Sequence, residues 1–376
     1  MPESPVASIA IRKLSAHRAL RVLAWDRDIL YASRAYQLLS LKPTSASNSK
    51  TAWEKVATFH PAWWRNLTSC TNLTHRLVRD GFHALAVLSD QTMIAAVPGA
   101  IATRALNTSE FLPTHKIQRG TRPLHITAVP NGNIYWGEYF DNRDRAEVHI
   151  YGSTDRGQTW HVAHTFPAKA VRHVHNIVYD RHADCLWILT GDDGHECKIL
   201  RADRNLRNME VVLEGNQQAR AVAAIPTKDA LYLATDTPFE QNHILRLDRT
   251  GRVENVADLA SSSIFGCQTA NALFFSTMVE PSPANPTREV HLAGSADGTN
   301  WHTVARWQKD ALPMHYFQYG NAILPDGDNT TNFLAATTVA TTQDDQVTSL
   351  WEVNPNSESP KPNSQSPEPK AESLKS

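Results

Sequence analysis

The sequence predicts an all-β protein built from repeated four-stranded units, and three observations lead to this prediction. Strand-like openings recur about every 45 to 50 residues along the chain. Two turns share Ser, Asp, Gly and Trp at similar spacing. A strand-like segment near the N-terminus, "ASIAIRKLS", has no neighbour in its own part of the chain. Units of this length suit a blade of four strands, so the fold class we predict is a β-propeller.

The repeated units can be followed along the chain. Each begins with a hairpin, in which two β-rich runs flank a turn with Asp, Asn or Gly, and continues with a third and a fourth strand. The seven predicted blades cover residues 19–60, 64–120, 121–169, 170–216, 217–260, 261–310 and 311–353. The last blade offers only about three strands. We expect residues 7–15 to supply its outer strand, which closes the ring and makes residues 1–353 a single domain.

The segment 354–376 differs in composition from the rest of the chain. It is rich in Pro, Ser, Lys and Glu and has almost no apolar residues. Ordering such a segment would bury little apolar surface. We therefore expect a disordered tail whose deletion leaves the fold intact.

Composition excludes several classes of protein. Acidic and basic residues nearly cancel, with a formal net charge of −1 over 376 residues, so nucleic acid is not an expected partner. No segment is long and apolar enough to span a bilayer, and the N-terminus lacks the features of a signal peptide. A soluble, cytoplasmic protein is the expectation. The four cysteines form no dense framework and are expected to be reduced, although Cys185 and Cys197 could lie on neighbouring strands.

The two turns are "STDRGQTW" and "SADGTNW". In both, the Ser and Asp side chains can accept hydrogen bonds from turn N–H groups, the Gly can take a positive φ, and the Trp can lie under the turn. The second turn is one residue shorter between Asp and Gly, so we expect its conformation to be altered. We predict a structural role for both sets of residues: Ser153, Asp155, Gly157, Trp160, Ser295, Asp297, Gly298 and Trp301.

Candidate site residues lie where the chain meets one mouth of the central channel. Polar residues at the starts of the predicted inner strands are His125, His173, His175, Gln218, Arg220, Gln268, His315 and Gln318. Those near the ends of the second strands are Glu138, Tyr139, Asp192, Asp193, Asp236, Glu240, Asn242 and Glu280. They recur at about one-blade intervals, so they could form one ring in space.

The segment "RHVHN" carries the most specific chemistry. Residues i and i+2 of a strand share a face, so His173 and His175 can present two imidazoles together. With His125 or His315 and a carboxylate they could hold Zn²⁺, Mn²⁺ or Fe²⁺. Alternatively, a histidine could act as a general base, or one could pack between blades while the other bonds to backbone.

The remaining catalytic candidates each have a structural alternative. Arg220 could grip a carboxylate or bridge two blades through a buried acid. A general acid and base pair could come from among Asp192, Asp193, Asp236 and Glu240, although Asp residues after strands also commonly cap turns. Tyr139 could transfer a proton or be a buried tyrosine with a satisfied hydroxyl. The residues predicted to bind ligand are His125, Glu138, Gln218, Glu240, Asn242, Gln268, His315 and Gln318.

The stretch from about Arg122 to Val353 resembles bacterial propellers of the sialidase-like or glycosyl-hydrolase-like kind. The resemblance rests on the two turns, which are similar to the Asp-box (bacterial neuraminidase repeat) of that family, and on "GEYFDN", "RHVHN", "LTGDDGHECKILRAD", "QQARAV" and "TDTPFEQNHILRLD". It implies a propeller with Asp-boxes remote from the ligand. True sialidases carry an R-I-P-like motif before the first Asp-box. That motif is absent and no Tyr–Glu nucleophile pair can be assigned, so a true sialidase is not predicted.

A second resemblance is to propeller polysaccharide lyases, whose sites combine His and Tyr with an Arg or metal that neutralises a uronate. The first functional hypothesis is therefore a carbohydrate-active or carbohydrate-binding propeller, either a hydrolase or a uronate lyase, with an oligo- or polysaccharide at the channel mouth. The alternative is a non-catalytic scaffold that binds a protein or glycan partner.

Overall fold

The computed structural model describes residues 9–45, 52–69 and 71–355, and most of them lie in β-strands. The all-β propeller fold predicted from the sequence is confirmed. Most of the predicted tail lies outside the described residues, but Asn354 and Pro355 continue the last strand rather than belonging to the tail. Among the described residues, no helix has the length and apolar character needed to cross a bilayer.

The strands are numbered in chain order. Their bounds are β1 Ile9–Arg18, β2 Arg21–Arg27, β3 Ile29–Arg34, β4 Gln37–Leu41, β5 Glu54–Phe59, β6 Ala84–Val87, β7 Met93–Val97, β8 Ala100–Arg104, β9 Glu110–Lys116, β10 Thr127–Ala128, β11 Ile134–Gly137, β12 Val148–Ser153, β13 His161–Phe166, β14 Val174–Asp180, β15 Cys185–Thr190, β16 Lys198–Asp203, β17 Glu210–Glu214, β18 Ala221–Pro226, β19 Ala230–Thr235, β20 Asn242–Asp248, β21 Val253–Leu259, β22 Ser263–Gln268, β23 Leu273–Thr277, β24 Glu289–Ser295, β25 His302–Gln308, β26 Asn321–Ile323, β27 Asp326–Asn329, β28 Phe333–Val339 and β29 Val347–Pro355.

The sheets follow the chain in simple order. β10–β13, β14–β17, β18–β21 and β22–β25 each form a four-stranded antiparallel meander. The meanders β2–β5 and β6–β9 are joined into one larger sheet by a short parallel pairing of β5 with β9, and β27 adds to it beside β2. The connections within each sheet are short and local. Each sheet buries its faces against the neighbouring sheets of the ring.

The ends of the chain meet in one sheet, ordered β1, β29, β28, β26. The antiparallel pairing of β1 with β29 runs from Ile9 opposite Pro355 to Arg18 opposite Val347. The N-terminal strand expected from the sequence is therefore the outer strand of the last sheet, and it covers an edge that would otherwise be free.

The core lies between neighbouring sheets. All residues of the second strands β15 and β19 are buried, whereas most residues of the outer strands β13, β17 and β21 are exposed or half-buried. Cys185, Cys197 and Cys267 are buried and free. This layering means that sheet-to-sheet packing, rather than any one sheet, holds the ring together.

Three short helices lie within the predicted blades. Helices α1 Trp63–Thr68 and α2 Asn72–Val78 occupy the start of the predicted second blade, and α3 Met314–Phe317 replaces the strand expected near Met314. The buried Arg76 joins α2 to α3, since its Nη1 lies 2.6 Å from Asp310 and its Nε 3.2 Å from the Phe317 carbonyl. Tertiary contacts such as those of Arg76 override local strand propensity here.

The first Ser-Asp turn, residues 153–160, connects β12 to β13. Ser153 Oγ accepts from Gly157 N at 2.8 Å and donates to Asp155 at 2.8 Å. The Asp155 carboxylate accepts from the backbone N–H groups of Gln158 and Thr159. These bonds satisfy the turn's own donors, so Ser153 and Asp155 are structural here.

The second Ser-Asp turn, residues 295–301, connects β24 to β25 and keeps the same pattern despite being shorter. Ser295 Oγ accepts from Gly298 N at 2.9 Å, and Asp297 accepts from the next two N–H groups at 2.8 Å. The expected change is confined to the tryptophan: Trp301 Nε1 donates to the Gly298 carbonyl of its own turn, whereas Trp160 Nε1 donates to Thr114 of the preceding sheet.

Replacing Gly298 with alanine should destabilise the fold by about 1–3 kcal/mol. Its φ is +76°, and an added Cβ would overlap the Tyr232 hydroxyl of the preceding sheet. Urea unfolding of Gly298→Ala should be compared with Gly251→Ala, where φ is +92° but no atom lies within 4 Å of the added Cβ. Equal losses of stability in the two variants would contradict the predicted clash.

Asp180 should make stability depend on pH. Its buried carboxylate accepts from Trp187 Nε1 at 3.1 Å and from Arg249, which reaches across from the next sheet. Burial alone would raise the pKa of Asp180, but these bonds and one from Ala183 N lower it overall. A depressed pKa means that the stabilisation is present above the unfolded pKa of about 3.9 and is lost as pH falls through the folded pKa.

The corresponding variant is Asp180→Asn. It should be less stable than the native protein by about 2 kcal/mol at pH 7, and the difference should shrink below about pH 4. Urea unfolding of both proteins between pH 7 and pH 3 measures this difference in the free energy of unfolding. A difference that stays constant over this range would show that the charge of Asp180 contributes nothing.

Candidate functional site

One face of the ring gathers the six residues predicted to be catalytic, together with Arg172. Innermost strands of a propeller run in one direction, and each second strand is antiparallel to its first. The starts of first strands and the ends of second strands therefore lie on the same face. The residues at these positions near β11, β14, β15, β18 and β19 are Tyr139, Arg172, His173, His175, Asp192, Arg220 and Asp236.

The imidazoles of His173 and His175 meet at the start of β14. Both side chains are buried, and their Nε2 atoms are 3.0 Å apart. The strand register shifts between Val174 and Asn176, so His175 lies in a β-bulge rather than in a regular strand. Val174 itself packs against Gly137, where any Cβ would overlap its side chain. The bulge and this close contact hold the two histidines at the mouth.

Backbone carbonyls fix both rings. Nδ1 of His173 lies 3.1 Å from the carbonyl of Phe140, and Nδ1 of His175 lies 2.9 Å from that of Ala221. A carbonyl oxygen only accepts, so both Nδ1 atoms carry a hydrogen, and in neutral imidazoles both Nε2 atoms are lone-pair acceptors. Two acceptors would then face each other, which is repulsive unless a proton or a metal cation lies between them.

The Asp192 carboxylate completes this cluster. Its Oδ1 lies 3.4 Å from Nε2 of His175 and its Oδ2 3.5 Å from Nε2 of His173. Burial opposes ionisation of Asp192, but hydrogen bonds and positive charge from His173 and His175, which act when a proton sits on Nε2, hold its pKa well below the usual range. Asp192 is therefore a carboxylate at neutral pH and adds negative charge beside the two imidazoles.

Two arginines and a glycine position Asp192. Arg172 Nη1 lies 2.9 Å and Arg220 Nη2 3.3 Å from its carboxylate. Gly191, with φ at +138°, precedes it, and a Cβ there would come within 2.8 Å of the Cys197 backbone. Only glycine fits this approach, so the sequence around β15 places the carboxylate beside the histidines.

The three side chains fit a divalent transition metal. One donor atom from each of His173, His175 and Asp192 lies within 4.8 Å of the others. Two ligands bound at about 2.1 Å in tetrahedral geometry are about 3.4 Å apart, close to the distances found here. The Nδ1 bonds to backbone are the usual outer contacts of metal-binding histidines. Two histidines and one carboxylate suit Zn²⁺, Fe²⁺ or Mn²⁺ and leave a position for substrate.

Asp236 and Tyr139 lie beside this cluster. Burial raises the pKa of Asp236 to about 7, opposed by Arg220 at 3.5 Å, and its Oδ1 is buried without a hydrogen-bond partner among the described residues. The Tyr139 ring centroid is 4.3 Å from that of His173. Burial, with the charges of Asp192 and Asp236, raises the pKa of Tyr139 to about 12, so its hydroxyl stays protonated at neutral pH.

Other predicted site residues lie elsewhere. His125 and Gln268 line a cavity of about 290 Å³ inside the channel. His125 Nδ1 donates to Asp326 at 2.9 Å, so the suggestion that His125 is a third metal-binding histidine is corrected: Asp192 takes that place.

Two predicted ligand-binding residues instead hold the fold. Glu138 is buried, paired with Arg119, and accepts from the His149 backbone N–H at 2.8 Å. Asn242 is buried, and its amide bonds to the Thr237 backbone and to Asn285. Both side chains are saturated by protein partners, so neither is available to a ligand.

The remaining predicted residues lie around the rim. Gln218 Nε2 donates to the exposed Glu240 at 3.0 Å. The prediction that His315 begins an inner strand is wrong, since His315 is exposed on α3, and Gln318 follows that helix. Glu280 accepts from Ser262 at 3.2 Å.

Several arginines at the same mouth were not predicted from the sequence. Arg172 is adjacent to His173 in "RHVHN", so its position beside the histidines could have been inferred from that segment. Arg21, Arg79 and Arg122 come from separate segments and carry no shared motif.

Comparison with known proteins supports the fold and goes no further. No protein-family model and no curated protein matches the chain. Among solved structures, the WD40 propeller domain of Doa1 has a TM-score of 0.55 at 8% identity, covering 92% of this chain and 97% of that chain. A chain of the Mitotic Checkpoint Complex has a TM-score of 0.55 at 10% identity, covering 94% and 96%.

A third similar structure is the extracellular domain of the putative one-component system BT4673 from B. thetaiotaomicron. Its TM-score is 0.53 at 8% identity, with 93% of this chain and 42% of that chain covered. Likeness at such low identity shows a β-propeller and says nothing of its ligand. The chain is a β-propeller with a polar, charged site at one mouth of its channel.

Proposed function

We propose that the channel mouth is a metal-dependent saccharide site and that the reaction it supports best is elimination on a uronate. The observation that carries this proposal is the pair of Nε2 lone pairs at 3.0 Å beside the Asp192 carboxylate. Such a cluster calls for a proton or a metal cation between the nitrogens, and the metal is the proposal made here. Arg172 and Arg220 add positive charge at the same place, which suits a substrate carboxylate.

The surrounding residues have the properties that elimination needs. A base takes the proton at C5 of the uronate, the electron pair forms the C4–C5 double bond, the C4–O bond breaks, and the leaving oxygen takes a proton. Asp236, with a pKa of about 7, suits the base, and the protonated Tyr139 suits the proton donor. A metal held by His173, His175 and Asp192 would supply charge neutralisation at the carboxylate.

The test follows two signals at once: the absorbance of unsaturated products and the appearance of new reducing ends. Purified protein is incubated with polygalacturonate, alginate and a neutral glucan, with Mn²⁺ or Zn²⁺ and with a chelator. We expect unsaturated-product absorbance on an acidic polymer that the chelator abolishes. Asp236→Asn should lose this activity, whereas Asp258→Asn, at a side chain that is 72% exposed, should keep it.

Two other outcomes would change the proposal. New reducing ends without unsaturated-product absorbance would show that the reaction is hydrolysis rather than elimination. Absence of both signals and of saccharide binding, in folded protein loaded with metal, would overturn the proposal in favour of a non-catalytic scaffold. One observation favours that second candidate: α1 exposes Trp63 and Leu67 by 76% and 65%, and exposed apolar side chains of this size are common at protein-binding surfaces.

A further inference from the structure

A second cavity lies between the start of β2 and helix α2, apart from the histidine cluster. Its volume is about 110 Å³, which suits a group of a few atoms rather than a whole sugar chain. Its walls come from the β1–β2 turn, from α2 and the residues after it, and from the segment after α3. The charged and titratable residues that line it are Arg21, Arg34, His75, Arg76, Arg79, Asp80 and His83.

The lining is unbalanced in charge. It contains four arginines and two histidines but one acid, Asp80. That acid is already used, because its carboxylate accepts from Arg65, at 2.7 Å, and from Tyr36, at 2.8 Å. Arg76 is also compensated, by Asp310.

Arg21 and Arg79 have no such hydrogen-bonded acid, although burial, which lowers the pKa of Arg21 to about 10, is partly opposed by the charge of Asp326. Among the described residues, neither guanidinium makes a hydrogen bond or an ion pair, and Arg21 Nε is buried without a partner. Arg79 follows α2 in a left-handed conformation, with φ at 55°, and its carbonyl accepts from His83 Nε2 at 2.8 Å. A buried guanidinium N–H with no acceptor is costly, so this wall favours a ligand with acceptor oxygens.

Arg122, at the start of a neighbouring sheet, extends the same positive region. Burial lowers the pKa of Arg122 to about 9, and the charges of Arg21 and Arg79 contribute. Burial likewise lowers the pKa of His83, with Arg122 and Arg21 adding to the effect. Arginine stays protonated at neutral pH, so these charges remain until an anion offsets them.

We infer that this cavity binds an oxyanion, with Arg21 and Arg79 as its principal ligands and Arg122 adding charge from the neighbouring sheet. The planar guanidinium matches the paired oxygens of phosphate, sulfate or carboxylate. The oxyanion could be a free phosphate or an acidic group on a saccharide that also occupies the mouth. The site does not require the metal cluster, so it stands independently of the proposed function.

The experiment uses inorganic phosphate, sulfate and glucuronate as probes of the full chain, by calorimetry at constant ionic strength. We expect one anion bound per chain. Arg21→Gln and Arg79→Gln should each weaken binding by about tenfold or more. A preference for phosphate would identify a free phosphate site, whereas a preference for glucuronate would identify the carboxylate of a saccharide.

Two control variants show whether the anion is bound at this cavity. Arg306→Gln removes an exposed charge on β25 and should leave anion binding unchanged. His173→Ala should also leave it unchanged, which keeps the result distinct from the metal site. Arg79 is exposed, so its substitution should not prevent folding. No anion binding, or equal weakening in Arg306→Gln and Arg79→Gln, would overturn the inference.

Discussion

Replacing His175 with alanine should weaken binding of Zn²⁺ or Mn²⁺ by at least about 100-fold. The substitution removes one of two facing Nε2 donors, which are 3.0 Å apart, and leaves His173 and Asp192 as the remaining ligands. It also removes the bond from Nδ1 to the Ala221 carbonyl. Calorimetric titration of chelator-treated protein, with metal content measured after dialysis, gives affinity and stoichiometry together.

Two further variants make that result specific. His173→Ala should lose metal in the same way, because it contributes the other nitrogen. His302→Ala changes an exposed histidine on β25 and should bind metal like the native protein. Circular dichroism and unfolding curves show whether the variants are folded. If folded native protein binds no metal at one equivalent, the cluster is held by a shared proton instead. If His302→Ala weakens binding as much as His175→Ala, metal binding by the cluster is contradicted.

The fold could be predicted from the sequence because each sheet is local in the chain. In β14 to β17, for example, every pairing joins consecutive strands. The signals for such a sheet lie within one stretch of sequence: apolar runs separated by turns. The long-range pairing of β1 with β29 was inferred from the missing outer strand of the last unit.

The helices and the last inner strand were mispredicted for the opposite reason. Helices α1 and α2 are short and lack a regular apolar stripe: α1 has no buried residue. What holds α2 is Arg76, which reaches Asp310 more than two hundred residues away. No local pattern carries that contact, so the helix cannot be predicted from its own segment.

The candidate site was partly predictable in the same sense. His173 and His175 are close in sequence, and Asp192 ends the next strand, so one sheet brings all three together. His125 has the same residue type and a similar place in its unit, but Asp326 engages it. Arg21, Arg79 and Arg122 lie near one another only because different segments converge at the mouth. Such convergence requires the closed ring.

Replacing Trp160 with alanine should lower the free energy of unfolding by about 3 kcal/mol while leaving metal and anion binding intact. Trp160 is half-buried between two sheets, with its ring centroid 6.3 Å from that of Trp136 and its Nε1 3.2 Å from Thr114 Oγ1 of β9. Its loss opens a cavity between the sheets and removes that hydrogen bond. Urea unfolding measures the loss of stability, and calorimetry measures metal and anion binding.

The matched control is Trp63→Ala, since the Trp63 side chain is 76% exposed on α1. Its stability should change by no more than about 0.5 kcal/mol, because an exposed tryptophan whose side chain makes no cap hydrogen bond adds little to the folded state. The contrast separates a tryptophan that joins two sheets from one that faces solvent. A Trp160→Ala protein with native stability but no metal binding would assign Trp160 to the site, and the first Ser-Asp turn would then be functional rather than structural.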